Sequence, residues 1–238
     1  ISEPLRAYHA LAGWQGHAGP VQASLEGYYR RMSNLPVPTF TPRANFSTTL
    51  TRANGDIYGA DARIEFTRDP LYAYVGYGWS WTRYAADGSS LARGFDEPVE
   101  QYHPAHDRRH QLNALLSLSF GRFTTNLRWA YGSGLPYTQF QGFDEFIPPR
   151  GLPNVREQLG ASRLYYDQPY RGRLPVYHRL DASVKGTFDL GSQALTVQVG
   201  GINTYDRSNL FYFDLFTGQR VDQLPLVPYL SLKISTKE

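Results

Sequence analysis

Apolar and polar residues take turns along most of these 238 residues, in runs long enough to limit the fold severely. Leu180, Ala182, Val184, Gly186 and Phe188 alternate with Asp181, Ser183, Lys185, Thr187 and Asp189. Leu195, Val197 and Val199 alternate with Thr196 and Gln198, and Leu230, Leu232 and Ile234 with Ser231 and Lys233. The pattern recurs upstream in Val21 to Tyr29, Tyr58 to Phe66, Val75 to Trp81, Leu112 to Phe120 (with Leu115 the exception) and Phe123 to Tyr131. About Leu5 to Gly16 the alternation is least clear. A period of two is the signature of a β-strand with one apolar and one polar face. The runs cover about 11 to 15 residues, against about 5 to 6 for a typical soluble strand. A tilted strand crossing a bilayer needs about 9 to 11.

The connections separate this fold from a soluble sandwich. Short turns are expected at His17 to Pro20, Arg68 to Pro70, Gly121 to Arg122 and Leu190 to Gln193. Long loops are expected at about 33–53, 87–108, 138–176 and 206–224. Strict alternation of short and long connections belongs to outer-membrane barrels, with short periplasmic turns and longer extracellular loops. No run approaches the roughly 18 apolar residues of a transmembrane helix. The negative mean hydropathy is compatible with a barrel, because only every second wall residue meets lipid. The fold expected is all-β: an antiparallel transmembrane β-barrel, here about nine strands. A complete single-chain bacterial barrel has an even number of strands. An odd count, with Ile1 on the extracellular side, predicts that residues 1–238 are a segment of a larger barrel. Alone, an open sheet would leave two unpaired edges in lipid.

Composition supports this reading and excludes others. Aromatic residues make up 15% of the chain (18 Tyr, 13 Phe, 4 Trp), and Gly (22) and Pro (16) are plentiful, which favours strands, interfaces and turns. With no cysteine there is no disulfide framework and no zinc–thiolate chemistry. A formal charge of +3, spread along the chain, argues against a nucleic-acid partner. No signal-peptide pattern is found, and Ile1 to Pro4 reads as the interior of a longer chain.

Several segments resemble one family. Asp107-Arg108-Arg109-His110-Gln111-Leu112-Asn113 is similar to the entry to a barrel strand in TonB-dependent receptors. It leads, as there, to Trp129-Ala130-Tyr131-Gly132-Ser133-Gly134-Leu135-Pro136-Tyr137-Thr138. Tyr177-His178-Arg179-Leu180-Asp181 resembles the family's Y-x-R-L-D strand start. Val199-Gly200-Gly201-Ile202-Asn203, followed by Tyr205-Asp206-Arg207-Ser208-Asn209, resembles its next segment. Leu226 to Leu232 resembles its last strand, although the chain ends Ser235-Thr236-Lys237-Glu238 without the terminal aromatic. The order and spacing cover roughly residues 107 to 236. The resemblance implies a C-terminal segment of a barrel of about 22 strands closed by a plug, the plug and N-terminal strands being absent from this sequence. It implies a Gram-negative outer-membrane receptor that imports a scarce nutrient of siderophore, cobalamin, haem, glycan or peptide type. Energy would come through TonB, contacted by the missing N-terminal part, and a surface lipoprotein is a further implied partner. No cofactor is expected.

The substrate route is expected along charged lumen positions, Arg63, Glu65, Arg128 and Lys185, and loop aromatics, Phe143, Tyr165, Tyr166 and Tyr170. The alternative is that the charges pair with each other or with the plug, and that the loop aromatics pack together. Trp79, Trp81, Tyr84, Trp129 and Tyr131 are expected in an interfacial aromatic girdle. His103, His106 and His110 with Asp107 are the one cluster of metal-ligand types, but their place before a strand favours a structural role over a metal site. A passive porin is the main alternative function. A hydrolase barrel is less favoured: the chain has no G-x-S-x-G turn, and His110 and Ser117 are separated by about 23 Å of strand.

Overall fold

A computed structural model describes residues 3–39, 49–86, 91, 100–146, 161–214 and 219–236. Among these, sixteen strands follow in chain order. They are β1 (Arg6–Ala18), β2 (Val21–Pro38), β3 (Leu50–Arg68), β4 (Leu71–Ala86), β5 (Gln101–Tyr102), β6 (His110–Phe120), β7 (Phe123–Gly132) and β8 (Pro136–Tyr137). Then come β9 (Phe140–Phe146), β10 (Ala161–Tyr166), β11 (Gly172–Arg173), β12 (Tyr177–Asp189), β13 (Gln193–Ile202), β14 (Leu210–Asp214), β15 (Gln219–Asp222) and β16 (Val227–Thr236). Nine of them form one antiparallel ladder in the order β1-β2-β3-β4-β6-β7-β12-β13-β16, and β5 pairs with β4. These nine are the nine strands that alternation marks out. The ladder does not close: β1 and β16 are its two ends.

The register puts every alternating set on one face. Laterally paired residues of antiparallel strands share a face, so the pairs Trp14–Leu25, Leu25–Ala62, Ala62–Tyr77, Tyr77–Leu112 and Leu112–Tyr131 trace one apolar row across six strands. The row below it on the other face reads Gln22, Glu65, Tyr74, Leu115, Arg128 and Asp181. The first strand, unclear in sequence, joins the pattern through its partner: Ala10, Ala12, Trp14 and Gly16 lie on the apolar face, and His9, Gln15 and His17 on the polar one. That apolar face is uncovered. Ile64 is 56% exposed and Val199 57% in mid-strand, an uncovered area that a water-soluble sheet does not tolerate.

Two aromatic rings bound the apolar face. At the long-loop end Tyr58 lies against Trp79 (6.1 Å) and Trp81 (6.3 Å), Trp129 against Tyr131 (6.0 Å) and His178 (6.4 Å), and His178 against Tyr205 (5.5 Å). At the short-turn end the ring is phenylalanine: Phe123 packs with Phe120 at 6.2 Å and with Phe188 at 6.3 Å. Gly19, Gly121 and Gly191 sit in three of the short turns with φ of 55°, 57° and 78°, a region that L side chains rarely adopt.

Two expectations are corrected at the long-loop end. The stretch 33–53 is strand at both ends: β2 continues to Pro38 and β3 begins at Leu50. A bulge between Met32 and Leu35 shifts the register, with Asn34 at φ 61°, and reverses which residues of β2 face which side. The period of two therefore breaks in sequence while the strand goes on. Pro36 and Pro38 are tolerated because β1 starts at Arg6, opposite Ser33, and beyond it β2 has no ladder partner on that side among the described residues. The second correction concerns Tyr84. It pairs with Gly55 and Tyr102, on the face opposite Trp81, and is buried rather than part of the girdle. There it joins Val37, Ala53, Leu91 and Tyr102 in the buried hydrophobic cluster, with Met32, Leu35 and Tyr170 packed against it.

Candidate functional site

Functional side chains fall into two groups: the polar face of the ladder, and the layer of loops at its long-loop end.

Arg63, Glu65, Arg128 and Lys185 all lie on the polar face. Arg63 holds its guanidinium over the Tyr74 ring at 5.5 Å and lines a hollow of about 390 Å³ with Ser24, Glu26, Asp61, Gln111 and Asn113. Glu65 lies opposite Gln22 and Tyr74. It shares a lateral row with Arg128, but three strand spacings separate them, about 14 Å. Arg128 lies opposite Asp181 and lines a second hollow, of about 430 Å³, with Tyr72, Asn126, Ser183 and Tyr229. Lys185 lies opposite Thr124 and Gln198. Among the described residues none of these four forms an ion pair, so the four do not converge.

The loop aromatics divide. The backbones of Phe143, Tyr165 and Tyr166 lie in the β9–β10 hairpin, and their side chains lie outside the described residues. Tyr170 is described: its φ is 56°, its N–H donates to Thr138 Oγ1 at 3.1 Å, and its ring stacks on Tyr102 at 5.7 Å. Burial holds the phenols of Tyr170 and Tyr102 above their ordinary value.

The histidine cluster does something other than converge. His103 Nδ1–H donates to the Thr82 carbonyl at 2.6 Å, and its Nε2 accepts from Arg109 Nη2 at 3.2 Å. His106 shares a hydrogen bond with Tyr84 (3.3 Å), and His110 one with Tyr77 (2.7 Å). Asp107 is the centre of the arrangement. Its carboxylate is wholly buried and accepts from the Thr82 N–H (3.0 Å), Arg173 Nη2 (2.6 Å) and Arg109 Nε (3.4 Å). Arg173 Nη1 also donates to the Asp107 carbonyl at 2.7 Å, and the Arg109 guanidinium lies over Trp81 at 3.7 Å. One carboxylate therefore joins β4, the strand start at His110 and the two-stranded β8–β11 sheet. Sequence flagged Asp107 as a metal-type residue and missed Arg173, whose partner lies 66 residues away.

The segments that carried the family resemblance hold the second corner of the wall. Arg179 Nη2 donates to Asp181 at 2.9 Å, and Asp181 accepts the Asn203 N–H at 2.9 Å. Asn203 donates to the carbonyls of Arg207 (3.0 Å) and Leu224 (3.2 Å), and Asn209 exchanges hydrogen bonds with the backbone of His178 (3.2 and 2.9 Å). Asp206 caps Leu226 N–H at 2.8 Å. Buried polar groups with satisfied partners fix a geometry, which explains the motif in structural terms. Gly134 serves the same end: a Cβ there would overlap the Leu174 carbonyl.

His110 and Ser117 lie on opposite faces, paired with Trp79 and Tyr72 respectively.

Residues 3–203 match the family model for the TonB dependent receptor-like β-barrel. No curated protein matches the chain. Among solved structures the fold is similar to the crystal structure of the ferric citrate transporter FecA in its unliganded form, with a TM-score of 0.59 and 15% identity. That match covers 94% of this chain and 30% of that one.

Proposed function

This chain belongs to the TonB-dependent receptor family through its β-barrel domain, and from that premise we propose that it forms wall and outer loops of an outer-membrane receptor for active import of a scarce nutrient. The observation that carries the reading is the pairing of an uncovered apolar face, bounded by aromatic rings at both ends, with a charged opposite face. Lipid fits the first face and a water-filled lumen the second.

On this reading residues 1–238 are the C-terminal part of a barrel of about 22 strands, and the free edges of β1 and β16 pair with strands outside this segment. Short turns face the periplasm and long loops the exterior of a Gram-negative cell. Arg63, Glu65, Arg128 and Lys185 line the substrate route, and Phe143, Tyr165, Tyr166 and Tyr170 belong to the outer loops that capture it. A plug and a TonB-contacting segment lie N-terminal to this part. The nutrient is of siderophore, cobalamin, glycan or peptide type, and a surface lipoprotein lid is compatible with the last two.

The test is uptake in the cell that encodes the receptor. A deletion strain carrying the full-length gene is offered ferric chelates, cobalamin, oligosaccharides or peptides as the limiting source, with TonB present or removed. Growth on one source that needs both the gene and TonB supports the reading. Growth that needs the gene but not TonB makes the protein a passive porin and sinks it.

A further inference from the structure

We propose that the lipid-side face of β1–β4, just beyond the aromatic ring at the long-loop end, binds the phosphorylated head group of an outer-leaflet glycolipid. The inference rests on the reading of this sheet as an outer-membrane wall and adds a partner to it.

The argument follows one face upward. Tyr29, Tyr58 and Trp81 form the last aromatic row on β2, β3 and β4. One row further on the same face, Arg31 and Arg83 both lie directly opposite Asp56. Arg6, opposite Ser33, lies one step above, and Arg52, opposite Pro36, above that. Phe66, on the same face at the short-turn end, and Asp56 are ten residues apart on β3. That is about 33 Å of strand, which a tilt of about 40° reduces to about 25 Å of height, the usual depth of a barrel's apolar band. The arginine row therefore stands where hydrocarbon ends and head groups begin.

Charge on this row is left over. Asp56 accepts the Tyr29 hydroxyl at 2.6 Å and faces Arg31 at 3.9 Å, and Arg52 meets Glu3 at 3.7 Å. Arg6 and Arg83 form no ion pair among the described residues. The Arg31 and Arg52 side chains are 56% and 50% exposed. Asp56 pairs opposite both arginines but is within ion-pair reach of Arg31 alone, so the Arg83 charge is not neutralised. Planar guanidinium forks match phosphate oxygens in pairs. Above the row, Asn34, Arg52, Asn54, Glu100 and Gln101 line a hollow of about 340 Å³. Amides and a carboxylate there are hydrogen-bonding partners for sugar hydroxyls. From bottom to top the face offers apolar wall, aromatic ring, arginines and amide-lined hollow. A glycolipid offers acyl chains, interface, phosphate and sugar in the same order.

The test uses the full-length receptor purified from outer membranes, with a bisphosphorylated diglucosamine glycolipid, its dephosphorylated form and inorganic phosphate as probes. Binding is read by native mass spectrometry, and folding by heat-dependent electrophoretic mobility. The wild type is expected to bind the phosphorylated glycolipid, and Arg31→Gln with Arg83→Gln to weaken it roughly tenfold. Lysine at both positions should restore part of the loss, while Arg122→Gln, at the short-turn end, should change nothing. Equal binding by a folded double glutamine variant overturns the inference, as does inorganic phosphate binding as tightly as the glycolipid. A receptor absent from the outer-membrane fraction overturns the wall reading instead.

Discussion

Strand β3 keeps one period of two along its length, yet its apolar side changes partway. Between the aromatic rings Ala60, Ala62, Ile64 and Phe66 lie on the lipid side, with Asp61, Arg63 and Glu65 on the lumen side. Past Tyr58 the lipid-side positions become Asp56, Asn54 and Arg52, and the opposite side carries Ala53, buried with Val37, Tyr84, Leu91 and Tyr102. The first region spends its apolar residues on lipid, and the second on a small core under the loops. Alternation makes both into strand, but the surrounding medium decides which side must be apolar. The bulge in β2 lets Leu35 and Val37 turn to the new core without ending the ladder.

The two regions should therefore fail separately, and the largest effect belongs to the loop layer. Asp107→Ala strands Arg173 and the Thr82 N–H without their buried acceptor, at a cost of about 3–5 kcal/mol. Hydrogen exchange of the full receptor should rise at residues 100–109 and 170–174 while the amides between the aromatic rings stay protected. Loss of protection throughout would show that the regions are one cooperative unit. Next in size, Leu116→Arg puts a charge in mid-wall on the lipid side and should cost about 2–4 kcal/mol in bilayer unfolding measurements. Asn113→Arg, on the lumen side of the same strand, should cost far less. Equal losses would mean that the two faces are not in different media.

How much of this was legible in sequence follows the same division. In the wall, lipid contact favours alternation, so eight of the nine strands, their faces and the short turns could be read from it, while the faces of β1 came from its pairing with β2. At the loop end, Pro36, Pro38 and the bulge at Asn34 hid the continuation of β2, and Tyr84 was placed in the girdle because its neighbours were. The Asp107–Arg173 pair was invisible because nothing local ties residues in separate loops. Parity alone puts the polar candidates on one face. Parity does not give distance, so it could not say that Glu65 and Arg128 stand three strands apart.

The smallest effect separates the regions by pH. Tyr102 and Tyr170 stack in the loop core, where burial raises both phenols above the ordinary value of 10.0. A folded state that holds its phenolic protons more tightly than the unfolded chain gains stability that is complete below pH 10 and falls as pH rises past it. The loop layer should therefore loosen in alkali, while the wall between the aromatic rings, held by lipid and backbone hydrogen bonds, should not follow. Ultraviolet absorbance of phenolate in the full receptor should show a late component that shrinks in Tyr102→Phe with Tyr170→Phe, the buried Tyr84 phenol of the same cluster keeping part of it. Hydrogen exchange over the same range should rise at residues 100–109 first. If both substitutions leave the late component undiminished, the alkaline-sensitive tyrosines lie elsewhere, and the small core is not what distinguishes the loop layer from the wall.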